Sequence, residues 1–103
     1  MPHLIIESTQ KLSKEIVSEL HKEVGRQETV NIEAVKTRVY SPELGLVGGE
    51  EGEDMVTITL KLLPGRNDEL KNLMAQNLYT KAAAMIDSRH ITVEVVDLGV
   101  YKK

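Results

Sequence analysis

In the stretch MVTITLKLL, Val56, Ile58, Leu60 and Leu62 alternate with Thr57, Thr59 and Lys61. Period two marks a strand with one buried face, so residues 55–63 are predicted as strand. Residues 2–7, PHLIIE, and 90–98, HITVEVVDL, are short apolar-rich runs predicted to join the same sheet. NIEAVKTRVY, residues 31–40, is read as a fourth strand, with Ile32, Ala34, Lys36, Arg38 and Tyr40 on one parity. Lys36 and Arg38 then project to the same face, and two cations there call for an anion or solvent nearby.

The period changes between these runs. Leu12, Ile16, Val17, Leu20 and Val24 recur at helical spacing with charged residues between them, which predicts a helix starting near 9–12 and stopping at Gly25. A second helix is predicted over 67–88. Asn67 is a suitable N-cap, and Asp68 and Glu69 fall in the first turn, where the helix dipole favours acids. Its expected buried stripe is Leu70, Leu73, Met74, Leu78, Ala82, Met85 and Ile86. Between the halves, SPELGLVGGEEGED (41–54) has neither period nor core and reads as a solvated loop; its acids do not match calcium-loop spacing.

The order strand–helix–strand therefore occurs twice, over 2–40 and 55–98. The fold class is α/β (α+β) in one domain spanning 1–103. Two β-α-β units form a four-stranded mixed sheet with two helices on one face. Each unit makes its two strands parallel, with a right-handed crossover expected. Both helices must cover the same face to share a core, which leaves the opposite face uncovered in a single chain. That face carries Thr57, Thr59 and Lys61, with Tyr40 or Val39 depending on register.

Composition narrows the function classes. The chain has 103 residues, a formal net charge of -3 and no Cys, which excludes disulfides and thiolate metal sites. The charge argues against nucleic acid or a membrane surface as partner. With three Tyr and no Phe or Trp, base-stacking platforms are poorly supplied. No apolar run approaches the roughly 20 residues of a membrane span. The N-terminus lacks the basic segment and cleavage site of a signal peptide, so a cytoplasmic location is expected.

Four residues stand out as candidates for chemistry. Pro2 either starts a strand, where its missing N–H costs little, or becomes a free secondary amine once Met1 is removed. Lys36 and Arg38 either form a solvated face pairing with Glu7 or Glu94, or hold an anion. Arg66 is either an ordinary turn residue or an anion ligand beside a helix N-terminus. His3 reads as an interface or core residue, and His21 and His90 as structural or exposed; three scattered histidines give no zinc spacing. Tyr40 and Tyr79 pack or line a pocket.

MPHLIIE at the extreme N-terminus, VKTRVY, LKLLPGRNDELK and IDSRHITVEVVDL, in that order, resemble the 5-carboxymethyl-2-hydroxymuconate isomerase family of the tautomerase superfamily. The likeness spreads over nearly the whole chain. Its most specific parts are Pro-His behind Met1 and the Leu-Lys-x-x-x-Gly-Arg turn. The resemblance implies a homotrimer packed around a central axis and enol–keto tautomerisation without any cofactor, run by an N-terminal proline. Pro2 matches the catalytic proline, Arg66 the arginine at the turn before the second helix, and Arg38 the second arginine of an Arg-Ser-Arg stretch. The first arginine of that stretch is Lys36 here, a point charge in place of a bidentate fork. The middle loop also differs, with Gly and Glu where the family carries aromatics, and the C-terminal tail is shorter.

The residue types suit that chemistry. A 1,3-proton shift needs a group that takes and returns a proton near neutral pH. A free α-amine has a reference pKa of roughly 7.7–8.0, and nearby cations lower it. The same cations would hold substrate carboxylates. The expected activity is a cofactor-independent tautomerase or isomerase acting on a small enol or unsaturated 2-oxo carboxylic acid. Pro2 would be the base and Arg38, Arg66 and Lys36 the substrate ligands. The alternative is a trimeric anion-binding protein of the same fold without the chemistry; a purely structural trimer is a third class.

Overall fold

The computed structural model describes residues 2–102, so the expected removal of Met1 lies outside the described residues. Among the described residues the chain forms four strands and two α-helices. In order these are β1 (His3–Ser8), α1 (Lys14–Gly25), a 3-10 turn (Ile32–Ala34), β2 (Lys36–Tyr40), β3 (Met55–Leu62), α2 (Asp68–Met85) and β4 (His90–Asp97).

The sheet order is β2-β1-β3-β4. β1 runs parallel to β2, and β3 parallel to β4, as the two-unit reading requires. The units join through an antiparallel β1–β3 pair at the centre of the sheet. Register then sorts every side chain. Leu4, Ile6, Val56, Ile58, Leu60 and Leu62 share one face and are fully buried. Leu20, Val24, Met74, Leu78 and Ala82 from the two helices complete that core. Ile91, Val93 and Val95 of β4 pack against its margin.

Three of four local details depart from the sequence expectation. First, α1 starts later than 9–12. Ser13 is its N-cap and accepts from the Ile16 N–H at 3.2 Å. Leu12 therefore precedes the helix and, with Val17, occupies the positions of a hydrophobic staple. Second, and as expected, Gly25 is the last residue of α1, where a Cβ would collide with the Ile32 side chain. Third, the strand expected at 31–40 is shorter. Asn31 accepts from the Glu33 N–H at 3.1 Å and caps the 3-10 turn, so pairing begins at Lys36. Fourth, α2 ends at Met85, and Leu73 is 53% exposed, off the buried stripe.

Asn67 caps α2 as expected, accepting from the Leu70 N–H at 2.8 Å. The turn before it needs Gly65, whose φ of +127° is costly for any residue with a Cβ. No helix among the described residues is long and apolar enough to cross a membrane.

Leu60 lies on a central strand with 0% exposure, whereas neighbouring Thr59 points to the opposite face. Leu60→Ala is expected to lower unfolding stability by about 2–5 kcal/mol. Thr59→Ala should stay within about 0.5 kcal/mol in the isolated chain. Urea denaturation of both variants checks the face assignment, and equal losses would contradict it.

Candidate active site

The face left open by the helices carries His3 and Ile5 from β1, Lys36, Arg38 and Tyr40 from β2, and Thr57, Thr59 and Lys61 from β3. Tyr40, not Val39, is the aromatic or aliphatic residue that register assigns to it. At the end of the sheet nearest Pro2, His3 lies directly between Lys36 on one side and Lys61 on the other. Neighbouring strands are about 4.8 Å apart, so the two lysine backbones lie roughly 10 Å apart with the imidazole between them. Arg38 stands one pair further along the same face.

The four candidates fall into two groups. Pro2, Lys36 and Arg38 are gathered at one sheet end. Pro2 is buried immediately ahead of β1, and its carbonyl accepts from the Lys36 N–H at 3.0 Å. Arg66 belongs to the same end of the fold through the β3–α2 turn, but its guanidinium is held by other groups. Nε donates to Thr29 Oγ1 at 2.8 Å, Nη2 to the Thr29 carbonyl at 3.1 Å and Nη1 to the Leu63 carbonyl at 3.3 Å. Two of its five N–H groups remain for another partner. Thr29 itself has a φ of +72°, an uncommon conformation for a β-branched residue. The Arg66 fork fastens both its side chain and its carbonyl.

His3 is closer to this cluster than its sequence context suggested. Arg38 Nη1 donates to His3 Nδ1 at 3.1 Å. A guanidinium only donates, so Nδ1 accepts and the imidazole proton sits on Nε2. Nε2 in turn faces the Tyr101 hydroxyl at 3.4 Å, with the two rings edge-on at 67°. Burial, and then the charges of Arg38, Lys36 and Lys61, push the His3 pKa below its ordinary 6.5. The signals missed in the sequence were Lys61 and Tyr101. Lys61 shares the parity of Thr57 and Thr59, but only register brings it beside His3.

Among the described residues, neither Lys36, Arg38 nor Lys61 has a carboxylate within ion-pair distance. The alternative considered from sequence, pairing with Glu7 or Glu94, is not formed: Glu7 pairs in register with Tyr40 and Thr57, and Glu94 with Thr59. The cluster thus has positive charge, donors from two strands and, among the described residues, no carboxylate paired with it. The arrangement suits a small anion.

The other two histidines have structural partners. His21 Nδ1 lies 2.7 Å from Thr37 Oγ1, tying α1 to β2, and His90 Nε2 lies 3.0 Å from Glu53. Tyr40 and Tyr79 are about half exposed. A cavity of about 550 Å³ is lined by Glu28, Asn67, Glu69, Leu70 and Leu73. Its two carboxylates oppose an anion, and none of Pro2, Lys36 and Arg38 lines it. Among the described residues no group of His, Asp and Glu could hold a metal ion.

The sequence matches no family model and no curated protein. Solved structures do share the fold. One is a 5-carboxymethyl-2-hydroxymuconate isomerase from Deinococcus radiodurans R1, 24% identical, covering 99% of this chain and 88% of its own, with a TM-score of 0.76. A fused 4-OT solved as a symmetric trimer is 20% identical over 94% of this chain and 87% of its own, with a TM-score of 0.79. A protein called Pt0534, inactivated by 2-oxo-3-pentynoate, is 17% identical over 93% of this chain and 85% of its own, with a TM-score of 0.80. The four-stranded mixed sheet with two helices is thus the tautomerase fold, shared with structures that include an isomerase.

Removing a cation from the cluster should move His3. In Arg38→Gln the loss of the guanidinium charge is expected to raise the His3 pKa back toward 6.5. An NMR titration of the imidazole measures this, and an unmoved titration would show that Arg38 does not act on it.

Proposed function

We propose that the protein is a cofactor-independent tautomerase or isomerase that shifts a proton in a small enol or unsaturated 2-oxo carboxylic acid, similar to 5-carboxymethyl-2-hydroxymuconate isomerase. Removal of Met1 would expose the Pro2 nitrogen as a secondary amine. The observation that carries the reading is the position of Pro2: directly ahead of β1, beside a group of cations with no carboxylate partner among the described residues.

In this reading the neutral Pro2 amine takes the enol hydroxyl proton, and the resulting ammonium returns a proton to carbon. Nothing is consumed. Lys36, His3 and Lys61 stand at the same sheet end and Arg38 one pair further along. Positive charge there lowers the amine pKa and keeps a fraction of it neutral at pH 7. Lys36 and Arg38 hold a substrate carboxylate and offset the enolate charge as it develops. Arg66 contributes through the two N–H groups left free by Thr29 and Leu63.

The assembly we propose is a homotrimer. The open sheet face is uncovered in the single chain, and a fused 4-OT of this fold is a symmetric trimer. The rival reading, an anion-binding protein without chemistry, shares the cations and the assembly and differs only at Pro2.

Each part of this reading can be measured. Sedimentation equilibrium is expected to give a trimer; a monomer at micromolar protein counts against the assembly. The 2-oxo-3-pentynoate that inactivates Pt0534 is an electrophile suited to trapping an amine. It should add to the peptide beginning at Pro2, and N-terminal acetylation should block both labelling and turnover of phenylenolpyruvate or 2-hydroxymuconate. A native protein whose mass retains Met1 would sink the proline mechanism. Pro2→Ala leaves a primary amine and should lower kcat by up to about 10²-fold with a smaller change in KM. Arg38→Ala should weaken dianionic substrates more than monoanionic ones, by about 1.5–3 kcal/mol.

A further inference from the structure

We propose that His3 is itself a ligand of the anion site, neutral when the site is empty and protonated at Nδ1 when an anionic ligand is bound. The inference rests on the reading of the open-face cations as an anion site, but not on Pro2 chemistry.

Hydrogen bonding defines the neutral state. Arg38 Nη1 occupies Nδ1, so that nitrogen has a lone pair and no proton. The Nε2 proton faces Tyr101. Among the described residues, Arg38 and Lys36 of β2 and Lys61 of β3 are the side-chain charges that act on the ring, and all three disfavour a further positive charge on it. The remaining groups around it are Tyr101 from the tail, Glu7 two pairs along β1, Glu94 of β4 beside Thr59 and outside ion-pair distance of the three cations, and the Pro2 amine once Met1 is gone. Glu7 is set against Tyr40 and Thr57, so it does not neutralise the row.

An arriving carboxylate changes both conditions together. It competes for Arg38 Nη1, because a charged acceptor makes a stronger hydrogen bond than a neutral imidazole. It also cancels part of the field of the three cations. Nδ1 loses its donor and gains a negative neighbour, so it takes a proton from solvent and donates that N–H to the ligand. The Nε2–H contact to Tyr101 survives in either state. Binding and protonation are therefore linked, and the ligand raises the affinity of His3 for its proton by the same factor that the proton raises affinity for the ligand.

The test uses full-length protein with ¹⁵N-labelled histidine, and maleate as an inert dicarboxylate probe. His3→Asn identifies the His3 signals; its amide can still accept from Arg38 but does not titrate. Without maleate at pH 7, His3 should show the neutral Nε2–H tautomer. At saturation it should show two protonated nitrogens, with its titration moved upward. Calorimetry in two buffers of different ionisation enthalpy should report net proton uptake near pH 6.5. In His3→Asn that uptake should vanish, and maleate affinity at pH 6 should fall about tenfold. An Nδ1–H tautomer in the free protein, an unchanged imidazole at saturation, uptake that persists in His3→Asn, or no maleate binding at millimolar concentration would each overturn the proposal. Turnover by an enzyme that binds without proton uptake would leave the Pro2 reading standing and remove this one. Proton uptake without turnover would do the reverse.

Discussion

The antiparallel pairing of β1 with β3 is the constraint on which the rest of the structure depends. It joins the two strand–helix–strand units, and it places His3 against Lys61 and Leu4 against Leu60. Because side chains alternate along a strand, a slip of one residue would send Leu4 and Ile6 to the open face and His3 into the core. The slip is prevented by burial on both partners, since Leu4, Ile6, Ile58 and Leu60 are all fully enclosed. A core requirement therefore fixes the arrangement of charges on the opposite side of the sheet.

That arrangement runs against ordinary electrostatic economy. Like charges directly across strands are unfavourable, and Lys36 and Lys61 are kept apart only by the width of β1. In the single chain, interposing a neutral imidazole gives one of the cations, Arg38, an acceptor while Lys36 and Lys61 keep contact with solvent. Arg66 follows a different logic. Its donors are largely committed to Thr29 and Leu63, so it holds the α1–β2 connection against the start of α2. The chain thus separates a supporting arginine from a poised one, although both stand at the same end of the fold.

Most of the architecture was legible because it rests on periodicity. Val56 to Leu62 alternate cleanly, and Asn67 with two following acids announces a helix start. What escaped depended on a local competitor or on distance in sequence. Asn31 looked like part of a strand, yet its side chain caps its own backbone and delays pairing to Lys36. Ser13 was hidden among other small polar residues. Leu73 fits the helical period but falls at its margin. Among the site candidates, the same-face placement of Lys36 and Arg38 followed from strand parity alone. The partnership of His3 with Arg38, and the approach of Lys61, required the register of three strands. The Tyr101 contact spans almost the whole chain, and no spacing rule reaches that far.

Loop 41–54 leaves β2 at Tyr40 and enters β3 at Met55, so it sits at the Ser8 end of the sheet. Four residue steps along β1, about 13 Å, separate Glu7, which shares a pocket with Pro42 and Leu44, from His3. Within one chain the loop and the end that carries Pro2 stand at opposite ends of β1. Two parts of a gene for this fold can therefore diverge on separate schedules, one bound by proton chemistry and the other by whatever the far rim touches.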